Sequence, residues 1–204
     1  FDIKLYQRVL LILFLNGRMT KGWFFLNKLK IESDRVLKNI KKIMIDLASS
    51  FNINVLSIIL YGSRVKSNGM SSDYEMLIIL EDNVNLESFI KLSHLLKIQL
   101  TKEKMNMVKP AIYTLNVFED LLYNDNIIGA FLYMICKENV IIYDECGVFS
   151  SIKNKFSNLD STTEASYIKK CIDFSRLMNS EKWAVKWEKK LFEHNYLNRR
   201  RSEL

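Results

Sequence analysis

Two short runs of branched aliphatic residues decide what this chain can build. Val55–Tyr61 reads VLSIILY, residues 76–80 read MLIIL, and a polar loop separates them. Runs this short, apolar at consecutive rather than alternate positions, suit strands covered on both faces. Such strands need helices on each side. From Ser33 or Asp34, either of which can cap, Val36, Leu37, Ile40, Ile43, Met44 and Leu47 recur at helical spacing, with Lys38, Lys41 and Lys42 on the other side. Residues 86–100 predict a second amphipathic helix, with Leu86, Phe89, Ile90, Leu92, Leu95, Leu96 and Leu100 inward.

Residues 110–115 (PAIYTL) predict a third strand, its proline at the first position, where a missing N–H is tolerated. Helices are expected over 118–123 and 127–138, and a short strand over 140–143 (VIIY). The expected fold class is therefore α/β (α+β): a small mixed sheet with flanking helices, spanning 33–150. Residues 1–32 form an N-terminal helical segment in this reading, with an apolar helix over 3–15 and a second cluster at Trp23, Phe24, Phe25, Leu26 and Leu29. Its run at 9–15 (VLLILFL) is too short to span a bilayer, which takes about 20 apolar residues, and no A-x-A-like cleavage site follows it. Residues 151–204 read as a C-terminal helical extension. A polar stretch at 153–166 carries a Ser-Thr-Thr capping signal before Glu164. Two helices then carry Tyr167, Cys171, Phe174 and Leu177, and Trp183, Trp187, Leu191 and Phe192, ahead of a basic stretch, NRRRSEL.

The formal charge of +7 favours anionic partners: nucleotides, nucleic acid or an acidic protein. Three cysteines without a CxxC pair, and only two histidines, give no zinc pattern. Free thiols fit a reducing cytoplasm, and a cytoplasmic location with no membrane partner is the expectation.

The chemistry concentrates between the two aliphatic runs. Gly62-Ser63 ends the first, and Ser72-Asp73-Tyr74-Glu75 opens the second. Glycine at a strand end lets backbone approach a ligand closely, and free N–H groups at a following turn can hold phosphate oxygens. Residues i and i+2 on a strand project to one face, so Asp73 and Glu75 can share a divalent ion. Left unpaired, two carboxylates this close repel. Magnesium, with its preference for hard oxygen ligands and substrate phosphates, removes that cost.

Residues 58–80, IILYGSRVKSNGMSSDYEMLIIL, resemble the signature of the polymerase-β-like nucleotidyltransferases, in particular the small prokaryotic minimal members: an apolar strand, Gly-Ser, a loop of about ten residues, then Asp-x-Asp/Glu inside a second apolar strand. The matching region is roughly 34–120, of which 58–80 is specific. The resemblance implies that Gly62 and Ser63 bind the triphosphate, with Arg64, Lys66 and Ser72 as further nucleotide contacts. It makes Asp73 and Glu75 the catalytic metal ligands for Mg (or Mn), with an NTP as substrate or ligand. Active members carry a third carboxylate on a later strand; here that strand should be 110–115, which holds no acid. Glu119 and Asp120 are expected in the first turn of the next helix, and Glu81 and Asp82 are expected to face solvent past the second strand.

Three functions follow as expectations. The first is Mg-dependent transfer of a nucleoside monophosphate from NTP to a hydroxyl acceptor. The second is a catalytically degenerate relative binding a nucleotide or a helical partner protein, antitoxin-like. The third is nucleic-acid binding, on +7, Arg199-Arg200-Arg201 and the clustered lysines. Trp183 and Trp187, one helical turn apart, could stack bases but are expected to face the core.

Overall fold

The computed structural model describes residues 34–66, 73–124 and 127–202. The N-terminal helices expected within 1–32 lie outside them, as does Ser72. In chain order the elements are α1 (Arg35–Ser49), β1 (Val55–Tyr61), the single turn α2 (Ser63–Lys66), β2 (Tyr74–Leu80), α3 (Leu86–Lys102), β3 (Val108–Thr114), α4 (Leu115–Tyr123), α5 (Ile127–Lys137) and β4 (Val140–Asp144). After a 3-10 turn come α6 (Val148–Ser157), α7 (Ser161–Leu177) and α8 (Glu181–Ser202). The fold is mixed α/β, an open four-stranded sheet with flanking helices, as expected. The strand order is β3-β2-β1-β4; β1 runs antiparallel to β2 and β4, and β2 parallel to β3.

The sheet divides the core into two layers. Ile58, Leu60, Met76, Ile78 and Leu80 face α1 and α3, where Leu37, Ile40, Met44, Leu92 and Leu96 are buried. Ile59, Leu77 and Ile79 face the other way, onto Phe118, Leu122, Tyr133, Phe149, Tyr167 and Trp187. Burying each such side chain stabilises by about 1.5–3 kcal/mol, so the consecutive apolar residues of β1 and β2 are accounted for by the two covered faces. The C-terminal helices α7 and α8 belong to this second layer: Tyr167, Cys171 and Trp187 share one cluster with the strands. Ser161 and His194 fasten α7 to α8. His194 Nε2 lies 3.1 Å from Ser161 Oγ, and its Nδ1 lies 3.4 Å from Glu164 Oε2.

Five expectations need correction. The helix expected over 118–123 begins at Leu115, so Glu119 and Asp120 lie beyond its first turn. The third strand begins at Val108, two residues earlier than expected, because its parallel ladder with β2 starts at Tyr74–Val108. On α3 only Leu92, Leu96 and Leu100 are buried; Leu86 is 74 % and Ile90 57 % exposed, because α1 covers one stripe and the described residues place nothing over the other. The stretch read as polar at 153–166 contains the end of α6, whose Phe149, Ile152 and Phe156 are buried. The cap of α7 is Asp160, which accepts from the amides of Thr162 and Thr163, and the Ser-Thr-Thr that follows it is already helical. Among the described residues, no helix is long and apolar enough to cross a membrane.

Candidate functional site

At the end of β1, Gly62 adopts φ +78°, a conformation that L side chains rarely take, and the chain turns directly into α2. That φ alone favours glycine here, and Glu75 adds a second demand. In the β1–β2 ladder Tyr61 pairs with Glu75. The Glu75 side chain lies over the turn, so that a Cβ built on Gly62 would stand 1.6 Å from Glu75 Oε2. The Ser63 amide donates to the same oxygen at 3.4 Å, a long contact. A carboxylate and an amide-bearing turn thus share one small volume. Asp73 immediately precedes β2, two residues from Glu75, and is exposed. Among the described residues it has no hydrogen-bond or ion-pair partner.

The intervening residue goes the other way. Tyr74 is 5 % exposed and packs with the α1 layer. Its hydroxyl donates to Asp34 Oδ2 at 2.7 Å, while Asp34 Oδ1 accepts the Val36 amide at 2.8 Å and caps α1. The Arg64 guanidinium sits 3.6 Å from the centre of the Tyr74 ring, a cation–π contact. Arg64 is therefore engaged with a residue of the strand face opposite Glu75. Lys66 closes α2. Of the residues expected at the site, the fold brings together Gly62, Ser63 and Glu75; Asp73 lies two residues before Glu75 in the chain, exposed, ahead of β2.

Two residues not anticipated complete the surroundings. Tyr61 packs edge-on against Phe131 of α5 at 5.7 Å; burial first, then the neighbouring Glu75 carboxylate, push its hydroxyl up to about 12. It stays protonated at neutral pH. The other is Lys109. The parallel ladder pairs Glu75 with Lys109 and Leu77 with Ala111, so the β3 residues on the face of the acid pair are Lys109, Ala111 and Tyr113; Thr114 pairs with Leu80 on the other face. The Lys109 ammonium donates to the Asn106 carbonyl at 3.0 Å. A strand beginning at Val108 was the signal that would have found it. The expectation that β3 offers no acid holds, and what stands level with Glu75 is a cation.

Beside the turn, Tyr61, Gly62, Phe131, Trp183 and Trp187 line a cavity of about 30 Å³, room for one water and far short of a nucleobase. Trp187 is buried in the core, as expected, and Trp183 half-buried at this cavity wall. The Ser161–His194–Glu164 line at the α7–α8 contact resembles a nucleophile, base and carboxylate. However, the Thr162 and Thr163 amides next to it are taken by Asp160, each at 3.0 Å. Without backbone donors aimed at a developing oxyanion, the line reads as a helix fastening.

Among the described residues, no group of three His, Cys, Asp or Glu converges as a metal cage. Asp73 and Glu75 are two hard-oxygen donors, Glu75 over the Gly62 turn and Asp73 two residues before Glu75 in the chain. That donor set fits a single Mg²⁺ whose remaining positions come from substrate phosphate and water. It does not supply protein ligands for a second ion. No protein-family model matches the chain, and no curated protein matches it.

Proposed function

We propose that this protein binds a nucleoside triphosphate with one divalent cation at the Gly62–Ser63 turn and transfers the nucleoside monophosphate to a hydroxyl acceptor, as polymerase-β-like nucleotidyltransferases do. The observation that carries the reading is the Glu75 carboxylate lying directly over Gly62 and accepting from Ser63, with Asp73 exposed two residues earlier in the chain, just ahead of β2. In this reading Asp73 and Glu75 hold the cation, Mg²⁺ or Mn²⁺, which when bound offsets phosphate charge. The Ser63 amide takes a phosphate oxygen in place of Glu75. The acceptor hydroxyl oxygen attacks the α-phosphorus, its proton passes to water, and the bond from the α-phosphorus to the leaving pyrophosphate breaks. Tyr61, protonated at neutral pH, can donate a hydrogen bond there but does not act as the base.

Lys109 favours a second reading, nucleotide binding without transfer. It stands level with Glu75 where a third carboxylate is needed, and a cation there neither ligates metal nor accepts a proton.

Calorimetry with each Mg-NTP, on the wild type and on Asp73→Ala with Glu75→Ala, tests binding. Transfer of label from α-³²P NTPs to protein, RNA and small hydroxyl compounds tests turnover. Binding with transfer, both lost in the double variant, supports the first reading; binding alone supports the second. No heat with any NTP refutes both.

A further inference from the structure

We infer that the outward face of α8 is a binding strip for single-stranded nucleic acid. This stands apart from the nucleotide site. The helix has two opposed faces, as its period of about 3.6 residues dictates. Ala184, Trp187, Leu191, His194 and Asn198 form one, turned toward the body of the protein; Ala184 is 0 % and Trp187 3 % exposed. Val185, Lys189, Phe192 and Tyr196 form the other. A helix serving only as a lid would be polar there. Instead Phe192 is 72 % exposed, Val185 53 % and Tyr196 49 %.

Cations interleave these rings. The Lys189 side chain is 78 % exposed, Lys182, Arg199 and Arg200 are exposed, and the Arg200 guanidinium lies 5.3 Å from the centre of the Tyr196 ring. The helix carries seven basic residues against three acidic ones. Of the acids, Glu188 is bound by Arg176, and Glu193 lies 4.0 Å from Lys189. Of the bases, Lys186 and Lys190 turn inward to Glu138.

Rings alternating with cations match a strand whose bases are open and whose phosphates run alongside. Phe192 and Tyr196 are one turn apart, about 6 Å along the axis, within the spacing of successive unstacked bases. A duplex keeps its base faces stacked and would leave both rings without partners. A second copy of this face would bring Lys182, Lys189 and Arg200 against themselves. Immersion in a lipid surface needs a broad apolar face, and the exposed apolar residues of α8, Val185, Phe192, Tyr196 and Leu197, are interrupted by Lys182, Lys189 and Arg200.

Fluorescence anisotropy with a labelled oligouridylate of roughly 12 nucleotides, near 50 and near 200 mM salt, tests the strip. The wild type is expected to bind and to weaken with salt. Phe192→Ala with Tyr196→Ala should weaken binding about tenfold or more. Lys189→Glu with Arg200→Glu should weaken it similarly and flatten the salt slope by about 1.4, two phosphate contacts' worth. Lys38→Glu with Lys42→Glu, on the solvent side of α1, makes an equal charge change elsewhere and should leave binding within about twofold, as non-contacting surface positions do. Should the alanine pair disturb folding by circular dichroism, Phe192→Leu with Tyr196→Leu keeps the apolar area and removes the rings. Any of four results overturns the proposal: no binding near 50 mM salt, ring variants that bind like wild type, an equal loss in the α1 variant, or duplex RNA or anionic vesicles held as tightly as the oligouridylate.

Discussion

Tyr74 and Glu75 are neighbours on β2 and lead opposite lives. Tyr74 is buried, its hydroxyl held by Asp34 at 2.7 Å and its ring covered by Arg64. That contact set joins the cap of α1, the start of β2 and the turn after β1 into one tie. Glu75 is half-buried on the other face, and its nearest amide is Ser63 at 3.4 Å. Buried polar groups in a settled structure find good partners. The Tyr74 side meets that standard and reads as architecture. The Glu75 side, with one long hydrogen bond to the Ser63 amide, does not meet it.

The comparison can be broken most sharply at Tyr74. Tyr74→Ala removes a buried ring and its hydrogen bond, and chemical denaturation should show a loss of about 3–5 kcal/mol. If the loss is below about 1 kcal/mol, the tie is not architecture. Next comes Gly62→Ala. The positive φ and a Cβ 1.6 Å from Glu75 Oε2 require Glu75 to move. A cost of about 1–3 kcal/mol is expected, together with loss of Mg-NTP heats in calorimetry. Retained binding would detach the turn from the acid pair.

Tyr74→Phe sharpens the same contrast more gently. It should cost about 1–2 kcal/mol, since the hydroxyl donates to a carboxylate. It also changes the alkaline limb. Burial, then Asp34, push the Tyr74 hydroxyl from 10 up to about 12. The folded state thus holds a proton that the unfolded chain releases first. The stability this provides is fully present below pH 10 and is lost as pH rises toward about 12. Tyr74→Phe should lose less stability across that window than wild type, measured by denaturation at stepped pH.

The smallest structural effect is expected at the other residue of the pair. Asp73→Asn with Glu75→Gln should change stability by no more than about 0.5 kcal/mol while abolishing Mg-NTP binding. A large destabilisation would mark Glu75 as structural and remove the contrast between the two faces.

Much of the architecture was legible in the chain. Consecutive branched residues in β1 and β2 announced strands with two covered faces, and the spacing from Val36 to Leu47 announced α1. Gly62-Ser63 and Asp73-x-Glu75 were legible as a group because β1 and β2 are joined by one local loop, so their partners are near in sequence. Lys109 was not legible. Its pairing with Glu75 comes from a parallel ladder that spans the whole of α3, and parallel register has no hairpin to announce it. Tyr74–Asp34 was hidden likewise, 40 residues apart. The exposure of Phe192 and Tyr196 on α8 was not legible either, because apolar residues on both faces of a helix carry no label for which face meets the core.

By itself, then, the sequence determined which segments become strands and helices, and that a glycine at the end of β1 and a carboxylate at the start of β2 fall within one local connection. Those follow from local periodicity and from backbone sterics that act within a few residues. The tertiary structure alone decided that a lysine stands level with Glu75, that Arg64 turns to Tyr74, and that Phe192 and Tyr196 are left outside while Trp187 goes in. Each depends on which distant surface packs first against a given face, and burial, being non-directional, is settled only by the whole fold.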